Sequence, residues 1–280
     1  MKKSKRSPRK FAYDVLVIGA GSAGLSAAFA ARQAGATVAM IAADKMGGEC
    51  PNYACVPTKA MLVAALRYDD FKRNASKFGI NARSVTLNVE AMMARKDAVV
   101  SAMTGRHRLE KILEKAGVTL FRGIASFVDD ESVKVGTHLI SAKSFVIATG
   151  SIPKIPPIAG IESITYWTPR EAVEITELPA SIAIIGGGPI GCEFATFFSL
   201  CDVPVVMFDV APRLLPREDA ENATFAEREL KHRGVAFHGN TKVLSVIKDR
   251  NHLRITFQTG DAPRQTLRVE KLLVASGRTP

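Results

Sequence analysis

Short apolar runs and longer alanine-rich stretches alternate along the first part of this chain. The β-branched apolar run at residues 13–18 (YDVLVI) predicts a buried strand, and the alanine-rich segment 25–34 predicts a helix. Gly35 follows that helix where a C-terminal cap is expected, and residues 37–41 form a second apolar run. The pattern therefore predicts a strand–helix–strand unit near the start of the chain.

Glycines at a regular spacing join the first predicted strand to its helix. Gly19, Gly21 and Gly24 have the G-x-G-x-x-G spacing of dinucleotide-binding turns. The first glycine permits the tight turn, the second lets the backbone approach a pyrophosphate, and the third lets the helix pack on the strand. The pyrophosphate then meets the N–H groups at the helix N-terminus. This unit is therefore predicted to bind a dinucleotide.

The same unit returns 167 residues later in the chain. Residues 181–208 repeat the order of strand, glycine turn, helix and strand, and the turn contains Gly186, Gly188 and Gly191. Two such units predict two nucleotide sites, one for a fixed cofactor and one for an exchangeable cofactor. This arrangement favours a relay of electrons over a simple dehydrogenase.

The two units differ at the position that selects the adenosine ribose. Asp209 stands 18 residues after the third glycine of the second unit, where an acid binds a ribose 2′-hydroxyl and disfavours a 2′-phosphate. The second site is therefore predicted to prefer NAD, with NADP as the alternative. Ala42 occupies the equivalent position of the first unit, and the nearest acid is Asp44. Either Asp44 reaches the ribose from the loop or the contact is missing.

The remaining segments complete an α/β pattern. Residues 61–113 are mostly helical in pattern, and 151–160, with three prolines, predict a connector between domains. Further strands are predicted at residues 118–127, 132–139, 145–148, 242–247, 253–259, 265–269 and 272–278. The predicted fold class is α/β, with two Rossmann-like dinucleotide-binding domains, each a parallel sheet with helices plus a small antiparallel β-meander.

Composition limits the class of protein further. A chain of 280 residues with 47% hydrophobic and 23% charged residues is typical of a globular protein of two domains. No apolar run reaches the roughly 20 residues that span a bilayer, and no secretory signal is recognised. Four cysteines do not form a secreted disulfide framework, so a cytoplasmic location without a membrane partner is predicted.

The net charge of +11 is concentrated at the N-terminus. Six of the first ten residues are Lys or Arg, which leaves +5 on the remainder. Residues 1–11 are therefore predicted to be a basic disordered tail, and no nucleic-acid partner is expected.

The segment 47–61 (GGECPNYACVPTKAM) contains Cys50 and Cys55 with four residues between them. A regular helix would hold their Cα atoms roughly 8 to 9 Å apart, whereas a disulfide needs roughly 4.4 to 6.8 Å. A bridge therefore requires Cys50 to lie outside the helix of Cys55, or a distorted first turn. Spacing alone leaves two alternatives, two separate buried thiols or half a zinc site. No paired spacing among the other cysteines and histidines supplies further ligands, so no metal site is predicted.

In combination these motifs resemble the class I pyridine nucleotide-disulfide oxidoreductases, flavoproteins of the dihydrolipoyl dehydrogenase and mercuric reductase kind. The resemblance covers nearly everything from residue 12 onward. It is carried by Gly19 to Gly24, residues 47–61, Ala148-Thr149-Gly150, the second glycine motif with Glu193, residues 213–216 (RLLP) and residues 277–280 (GRTP).

The resemblance implies a domain order. Residues 12–155 would be a FAD-binding domain that is incomplete because its last strand is missing, and residues 156–280 an NAD(P)-binding domain. The C-terminal dimerisation domain of the family, which is homodimeric at full length, would be absent.

The resemblance also implies cofactor contacts. Thr149 and Gly150 would line the flavin site, and the backbone of Ala125 would touch the adenine. FAD would be held at Gly19, Gly21, Gly24, Asp44 and Gly48, and NAD at Gly186, Gly188, Gly191 and Asp209, with a further cofactor contact at Gly277.

The redox centre is assigned in the same way. Cys55 would be the thiol against the flavin, in charge-transfer contact with it, and Cys50 the outer thiol that meets substrate. Lys59 would lie near the reducible ring and pair with Glu193.

The implied function is a FAD-dependent oxidoreductase of cell redox homeostasis that relays electrons between NAD(P)H and the Cys50–Cys55 disulfide. The substrate would be a small or protein-bound disulfide or dithiol such as lipoamide, or a thiophilic metal such as Hg(II). The alternative is a truncated nucleotide-binding remnant or regulatory protein without turnover. Glu49 and Pro189 depart from the family pattern, and Pro189 argues against glutathione reductase.

Overall fold

The computed structural model describes residues 11–81, 84–105 and 107–280. The predicted basic tail therefore lies outside the described residues except for Phe11. The contacts of the chain divide it into two units. The first contains the chain up to Asn52, Val100–Ser151 and Pro280, and the second contains Tyr53–Val99 and Ile152–Thr279.

The helices and strands follow the predicted alternation. The α-helices are α1 (Ser22–Gln33), α2 (Glu49–Tyr53), α3 (Cys55–Asn74), α4 (Val89–Thr104), α5 (Arg108–Lys115), α6 (Pro169–Ala172), α7 (Pro189–Leu200) and α8 (Ala220–His232), with 3₁₀ turns at Ala75–Phe78 and Ile161–Ser163. The strands are β1 (Tyr13–Ile18), β2 (Val38–Ala42), β3 (Val118–Arg122), β4 (Ala125–Asp129), β5 (Ser132–Val135), β6 (His138–Ile147), β7 (Ile152–Pro153), β8 (Ile182–Ile185), β9 (Val205–Phe208), β10 (Ala236–His238), β11 (Thr241–Asp249), β12 (His252–Thr259), β13 (Gln265–Val269), β14 (Lys271–Val274) and β15 (Arg278–Thr279).

The first unit is built on a sheet of strand order β3-β2-β1-β6-β5-β4. The strands β3, β2, β1 and β6 are parallel, and β5 and β4 extend the sheet with antiparallel pairing. The strand β2 is buried along its whole length because both faces of a parallel sheet are covered. Gly35 follows α1 with a φ of +84° and donates to Arg32 O, which confirms the predicted cap.

The strand predictions between residues 118 and 148 were wrong in detail. The predicted strand 118–127 is two strands, β3 and β4, separated at Gly123, whose φ is +137°. The predicted strand 132–139 is interrupted at Gly136, with a φ of +57°, and its last residues begin β6. Both glycines take positive φ angles that favour glycine, so the chain turns where the apolar pattern is continuous.

The second unit contains a parallel sheet, β10-β9-β8-β14, and an antiparallel meander, β11-β12-β13. Its core is dominated by the buried aromatic residues Phe194, Phe197 and Phe198 of α7. The predicted fold class of two Rossmann-like parallel sheets with antiparallel meanders is confirmed. The predicted connector contains β7, which pairs with β15.

The segment Tyr53–Val99 belongs to the second unit, whereas the predicted boundary between domains lies at residue 155. This segment belongs to the second unit because its apolar side chains pack there. Met61 and Ala65 of α3 and Met92 of α4 are buried in the same cluster as Phe194 of α7. The assignment of the two domains to FAD and to NAD(P) stays a prediction.

Candidate functional site

The first glycine turn follows β1. Gly19 has a φ of +111°, and a Cβ atom placed on it would lie 2.1 Å from the carbonyl oxygen of Ala148. A Cβ on Gly24 would lie 1.9 Å from the carbonyl oxygen of Gly19. Only glycine fits at these two positions, because real Cβ contacts do not approach so closely. At Gly21 the nearest atom to such a Cβ is Gly48 Cα, at 3.8 Å, which is an ordinary van der Waals distance, so a methyl group would fit there.

The second glycine turn, after β8, has the same construction. Gly186 has a φ of +120°, and its Cβ would lie 2.3 Å from the carbonyl oxygen of Ala275. A Cβ on Gly191 would lie 1.9 Å from the carbonyl oxygen of Gly186. Around Gly188, in contrast, no atom of the described residues lies within 4 Å of the Cβ position. The outer glycines are needed for packing, and the middle glycine borders open space.

A helix N-terminus follows each glycine turn. Gly21 caps α1 and Gly188 caps α7 in an extended conformation, and within the described residues neither cap makes a side-chain hydrogen bond. The first N–H groups of a helix need acceptors, and the helix dipole favours an anion there. Backbone donors, room at the middle glycine and the absence of a side-chain cap fit a pyrophosphate at each turn.

Asp209 follows β9 and is bound to the second glycine turn. Its carboxylate accepts hydrogen bonds from the backbone N–H groups of Gly187 and of Ala211, the latter at 2.7 Å. The acid is thus fixed beside the turn, where a ribose hydroxyl would lie if a dinucleotide binds. Ala42 ends β2 in the first unit and is 2% exposed, so no carboxylate is present at the matching position.

The cysteine-bearing segment returns to the first glycine turn. Gly47 N donates to Ala20 O at 2.9 Å, and a Cβ on Gly48 would lie 2.7 Å from Gly21 Cα. Gly47 and Gly48 both have positive φ angles, which allows the backbones to touch. The start of α2 is therefore held against the turn that fits a pyrophosphate.

Asn52 secures this segment, and sequence reasoning missed it. Its side chain is 6% exposed and donates through Nδ2 to Met46 O at 2.9 Å and to Gly48 O at 2.8 Å. Buried polar side chains generally need partners, so an asparagine between the two cysteines was a signal that could have been used.

Cys50 and Cys55 lie on two different helices. Cys50 is in α2, Cys55 is the first residue of α3, and Ala54 between the helices has a φ of −130° and a ψ of −98°. The condition for a bridge, that Cys50 lie outside the helix of Cys55, is met. Both side chains are exposed. The boundary between the two units falls at Asn52 and Tyr53, between the two cysteines.

Lys59 and Glu193 form the predicted ion pair. Lys59 Nζ donates to Glu193 Oε1, and the side chains are 56% and 32% exposed. The pair joins α3 to α7 within the second unit, so a charged lysine lies one helical turn after Cys55.

A second anchor between the same helices was not predicted. Tyr68 Oη and Lys72 Nζ of α3 both donate to Asp202, at 2.8 and 2.5 Å, in the turn after α7. These hydrogen bonds to Asp202 raise the pKa of Tyr68 and of Lys72. The anchors depend on residues that are distant in the sequence, and no local pattern marks them.

Cys192 and Cys201 have a different environment from the first two cysteines. Both are buried, and burial raises the pKa of each thiol to about 12, with smaller effects from Asp209 on Cys192 and from Asp202 on Cys201. Cys192 Sγ lies 3.5 Å from its acceptor, Gly187 O. These thiols are therefore unreactive at neutral pH.

The other predicted contacts are distributed over both units. Thr149 and Gly150 follow β6, and Gly150 has a φ of +75°. Ala125 begins β4, and Asp44 lines a cavity of about 440 Å³ in the first unit. Gly277 lies between β14 and β15, and its carbonyl accepts from Lys154 N at 2.9 Å. Their cofactor contacts stay predictions.

The pattern of the pyridine nucleotide-disulphide oxidoreductase family matches residues 13–280. The chain therefore belongs to this family, whose members depend on FAD and use NAD(P)H. It is 32% identical to the mercuric reductase of Staphylococcus aureus over 96% of this chain and 48% of that protein. It is 33% identical to a dihydrolipoyl dehydrogenase of Bacillus subtilis (strain 168), over 95% of this chain and 58% of that protein.

Among solved structures, the chain is similar to the HOCl-induced flavoprotein disulfide reductase RclA of Escherichia coli in its Cu(II) complex. The TM-score is 0.81 at 28% identity, over 96% of this chain and 57% of that one. The chain thus spans about half the length of the relatives that it matches. Within the described residues, no helix is both long and apolar enough to cross a membrane.

Proposed function

We propose that this chain is a FAD-dependent oxidoreductase that relays electrons between NAD(P)H and a redox-active Cys50–Cys55 disulfide. The observation that supports the proposal best is the contact of Gly48 with Gly21. It places the start of the cysteine-bearing helix α2 beside the first glycine turn, where the geometry fits the pyrophosphate of a dinucleotide.

The chain's own residues would hold both cofactors. The turn at Gly19, Gly21 and Gly24, with the N-terminus of α1, would bind the pyrophosphate of FAD. The equivalent turn before α7 would bind the nicotinamide dinucleotide, with Asp209 accepting a ribose hydroxyl. An acid at this position favours NAD, and NADP is the alternative. When bound, FAD supplies the two-electron chemistry that connects hydride transfer to thiols.

Cys50 and Cys55 would exchange with the substrate. The Cys50 thiolate attacks one sulfur of a substrate disulfide, and the other substrate sulfur leaves as a thiolate. Cys55 then attacks Cys50 Sγ, which closes the protein disulfide and releases the second substrate thiolate. Lys59, held by its ion pair with Glu193, would favour negative charge near these thiols.

The substrate is proposed to be a disulfide or dithiol such as lipoamide, or a thiophilic metal such as Hg(II). Relatives of both kinds match to similar degrees, with 32% identity to a mercuric reductase and 33% to a dihydrolipoyl dehydrogenase. A reducing cytoplasm and assembly as a homodimer belong to the same proposal.

The test is to reconstitute the purified chain with FAD and to record its visible spectrum under anaerobic conditions. NADH should bleach the bound flavin faster than NADPH, and a long-wavelength thiolate-to-flavin band should appear. Cys55→Ser should remove this band and keep FAD bound, whereas Cys192→Ser should leave both unchanged. A chain that binds NADH but retains no flavin would contradict the proposal and favour a nucleotide-binding protein without turnover.

A further inference from the structure

The cavity in the first unit lies at the carboxyl ends of two neighbouring parallel strands. Ala42 ends β2, Arg122 ends β3, and Gly123 N donates to Ala42 O at 3.0 Å. The volume, about 440 Å³, is within the range of small-molecule sites. Ligands of open α/β sheets bind outside the carboxyl ends of the strands, so this cavity is placed to receive the adenosine half of a dinucleotide.

The sequence does not show which residue of the first unit would bind the ribose of this adenosine half. In the second unit, Asp209 supplies a carboxylate beside the glycine turn. In the first unit, Ala42 offers only a methyl group at the matching position, and a methyl group accepts no hydrogen bond.

Glu110, on α5, brings a carboxylate into the same cavity. Its side chain is 24% exposed and pairs with Arg122 Nη2 through one oxygen and with His107 Nδ1 through the other. A carboxylate has about four acceptor positions, so capacity for further hydrogen bonds remains. Arg122 also donates through Nη1 to Asp44 O at 3.1 Å, so it joins the loop after β2 to Glu110.

We propose that Glu110 accepts the hydrogen bond of the adenosine ribose 2′-hydroxyl of FAD, in place of the acid that Ala42 lacks. Arg122 is the positioning residue that fixes the carboxylate. Asp44 lines the cavity too, but it is exposed on a loop, and its Oδ1 accepts from the next backbone N–H, Lys45 N, at 2.7 Å. The inference rests on the proposed function, because it assumes that FAD binds here.

The experiment measures the dissociation constants of FAD and of its 2′-deoxyadenosine analogue by quenching of flavin fluorescence. The wild-type chain should bind the analogue at least about tenfold more weakly, as expected for one hydrogen bond to a charged acceptor. Glu110→Gln replaces the charged acceptor by a neutral one, so it should bind FAD more weakly than the wild type does and should discriminate less between FAD and the analogue. Glu114→Gln, one turn further along α5, should behave as wild type.

Two further variants separate positioning from folding. Arg122→Lys keeps the charge but loses the planar fork, so the discrimination between FAD and its analogue should fall while the melting temperature changes little. Asp44→Asn should keep the full discrimination. If Glu110→Gln did not fold, the role of Glu110 would still be tested by the preference of the wild-type chain for FAD over its analogue and by the effect of Arg122→Lys on that preference.

The possible failures are distinguishable. The role of Glu110 would be overturned, and the proposed function left standing, by a wild-type chain that binds FAD and its analogue equally. Undiminished discrimination in Glu110→Gln, or its loss in Asp44→Asn, would have the same consequence. A wild-type chain that binds neither flavin would overturn both.

Discussion

Lys59 of α3 donates a hydrogen bond to Glu193 of α7, and further along α3 Tyr68 donates one to Asp202 in the turn after α7. Lys59 and Glu193 are 134 residues apart in the chain, as are Tyr68 and Asp202. Equal separations show that α3 and α7 run parallel, so both helices begin at the same end. Cys55 begins α3, and the second glycine turn precedes α7. Within the second unit, Cys55 and the turn that fits a nucleotide therefore lie at the same end of these two helices.

If the proposed function holds, replacing Lys59 by Met should slow flavin reduction by NADH roughly tenfold or more, because the variant would lose a preorganised charge near the flavin. The free energy of unfolding should change by less than about 1 kcal/mol, since the pair is partly exposed. Stopped-flow absorbance and urea unfolding measure the two effects. Lys72→Met, which breaks the pair with Asp202, is the control and should keep the wild-type rate. Equal slowing in both variants would indicate a structural role only.

Gly188 and Gly191 should respond differently to alanine. In Gly191→Ala the new Cβ meets the carbonyl oxygen of Gly186 at 1.9 Å, so the variant should lose at least about 1 to 3 kcal/mol of stability. In Gly188→Ala the new Cβ borders open space, and the φ of −76° is an ordinary value for alanine. The free energy of unfolding should therefore stay within about 0.5 kcal/mol of the wild-type value. Its NADH affinity, measured by fluorescence titration, should nevertheless fall at least about tenfold. Unchanged NADH binding would place the pyrophosphate elsewhere.

Asn52→Ala should destabilise the chain by about 1 to 3 kcal/mol, because the carbonyls of Met46 and Gly48 lose their donor in a buried site. Urea unfolding measures the difference. Asn74→Ala provides the comparison, because its side chain bonds Asp70 on an exposed surface, and a change within about 0.5 kcal/mol is expected. Similar losses in both variants would argue against a special role for Asn52.

Alkylation of the reduced chain by iodoacetamide at pH 8 should label two thiols quickly and two slowly. Cys50 and Cys55 are exposed, whereas burial raises the pKa of Cys192 and of Cys201 to about 12. With such a pKa, a fraction of about 10⁻⁴ of each buried thiol is ionised at pH 8. Mass spectrometry of peptides assigns the sites. Early labelling of Cys192 would contradict the structure.

Asp14 should make stability depend on pH in the acid range. Hydrogen bonds from the Lys143 side chain and from Thr37 hold the pKa of Asp14 far below its usual value. A lowered pKa stabilises the fold above the unfolded value of about 3.9, and the contribution is lost as the pH falls toward the folded value. The melting temperature of Asp14→Asn should therefore lie below that of the wild type at pH 7, and the difference between the two should narrow below about pH 4.

The control for this prediction is Asp261→Asn, on an exposed turn. It should show no such pH-dependent gap. If the difference in melting temperature between Asp14→Asn and the wild type were constant from pH 3 to 8, the charge of Asp14 would not be what stabilises β1.

Local patterns in the sequence were sufficient to predict the repeated unit of strand, glycine turn and helix. The spacing of apolar residues and of the glycines in the first turn is visible within a few residues, and Gly19 and Gly24 lie where the structure admits only glycine. The pairing of Lys59 with Glu193 followed from resemblance to a family, and the structure contains it.

Only the tertiary structure decided which distant residues meet. It assigned Tyr53–Val99 to the second unit, turned the chain at Gly123, and brought Glu110 and Arg122 into one cavity. The physical reason is that burial, ion pairing and cavity formation depend on contacts between segments far apart in the chain. The local spacing of apolar residues indicates whether a residue faces the core or the solvent, but it does not indicate which distant residue it contacts.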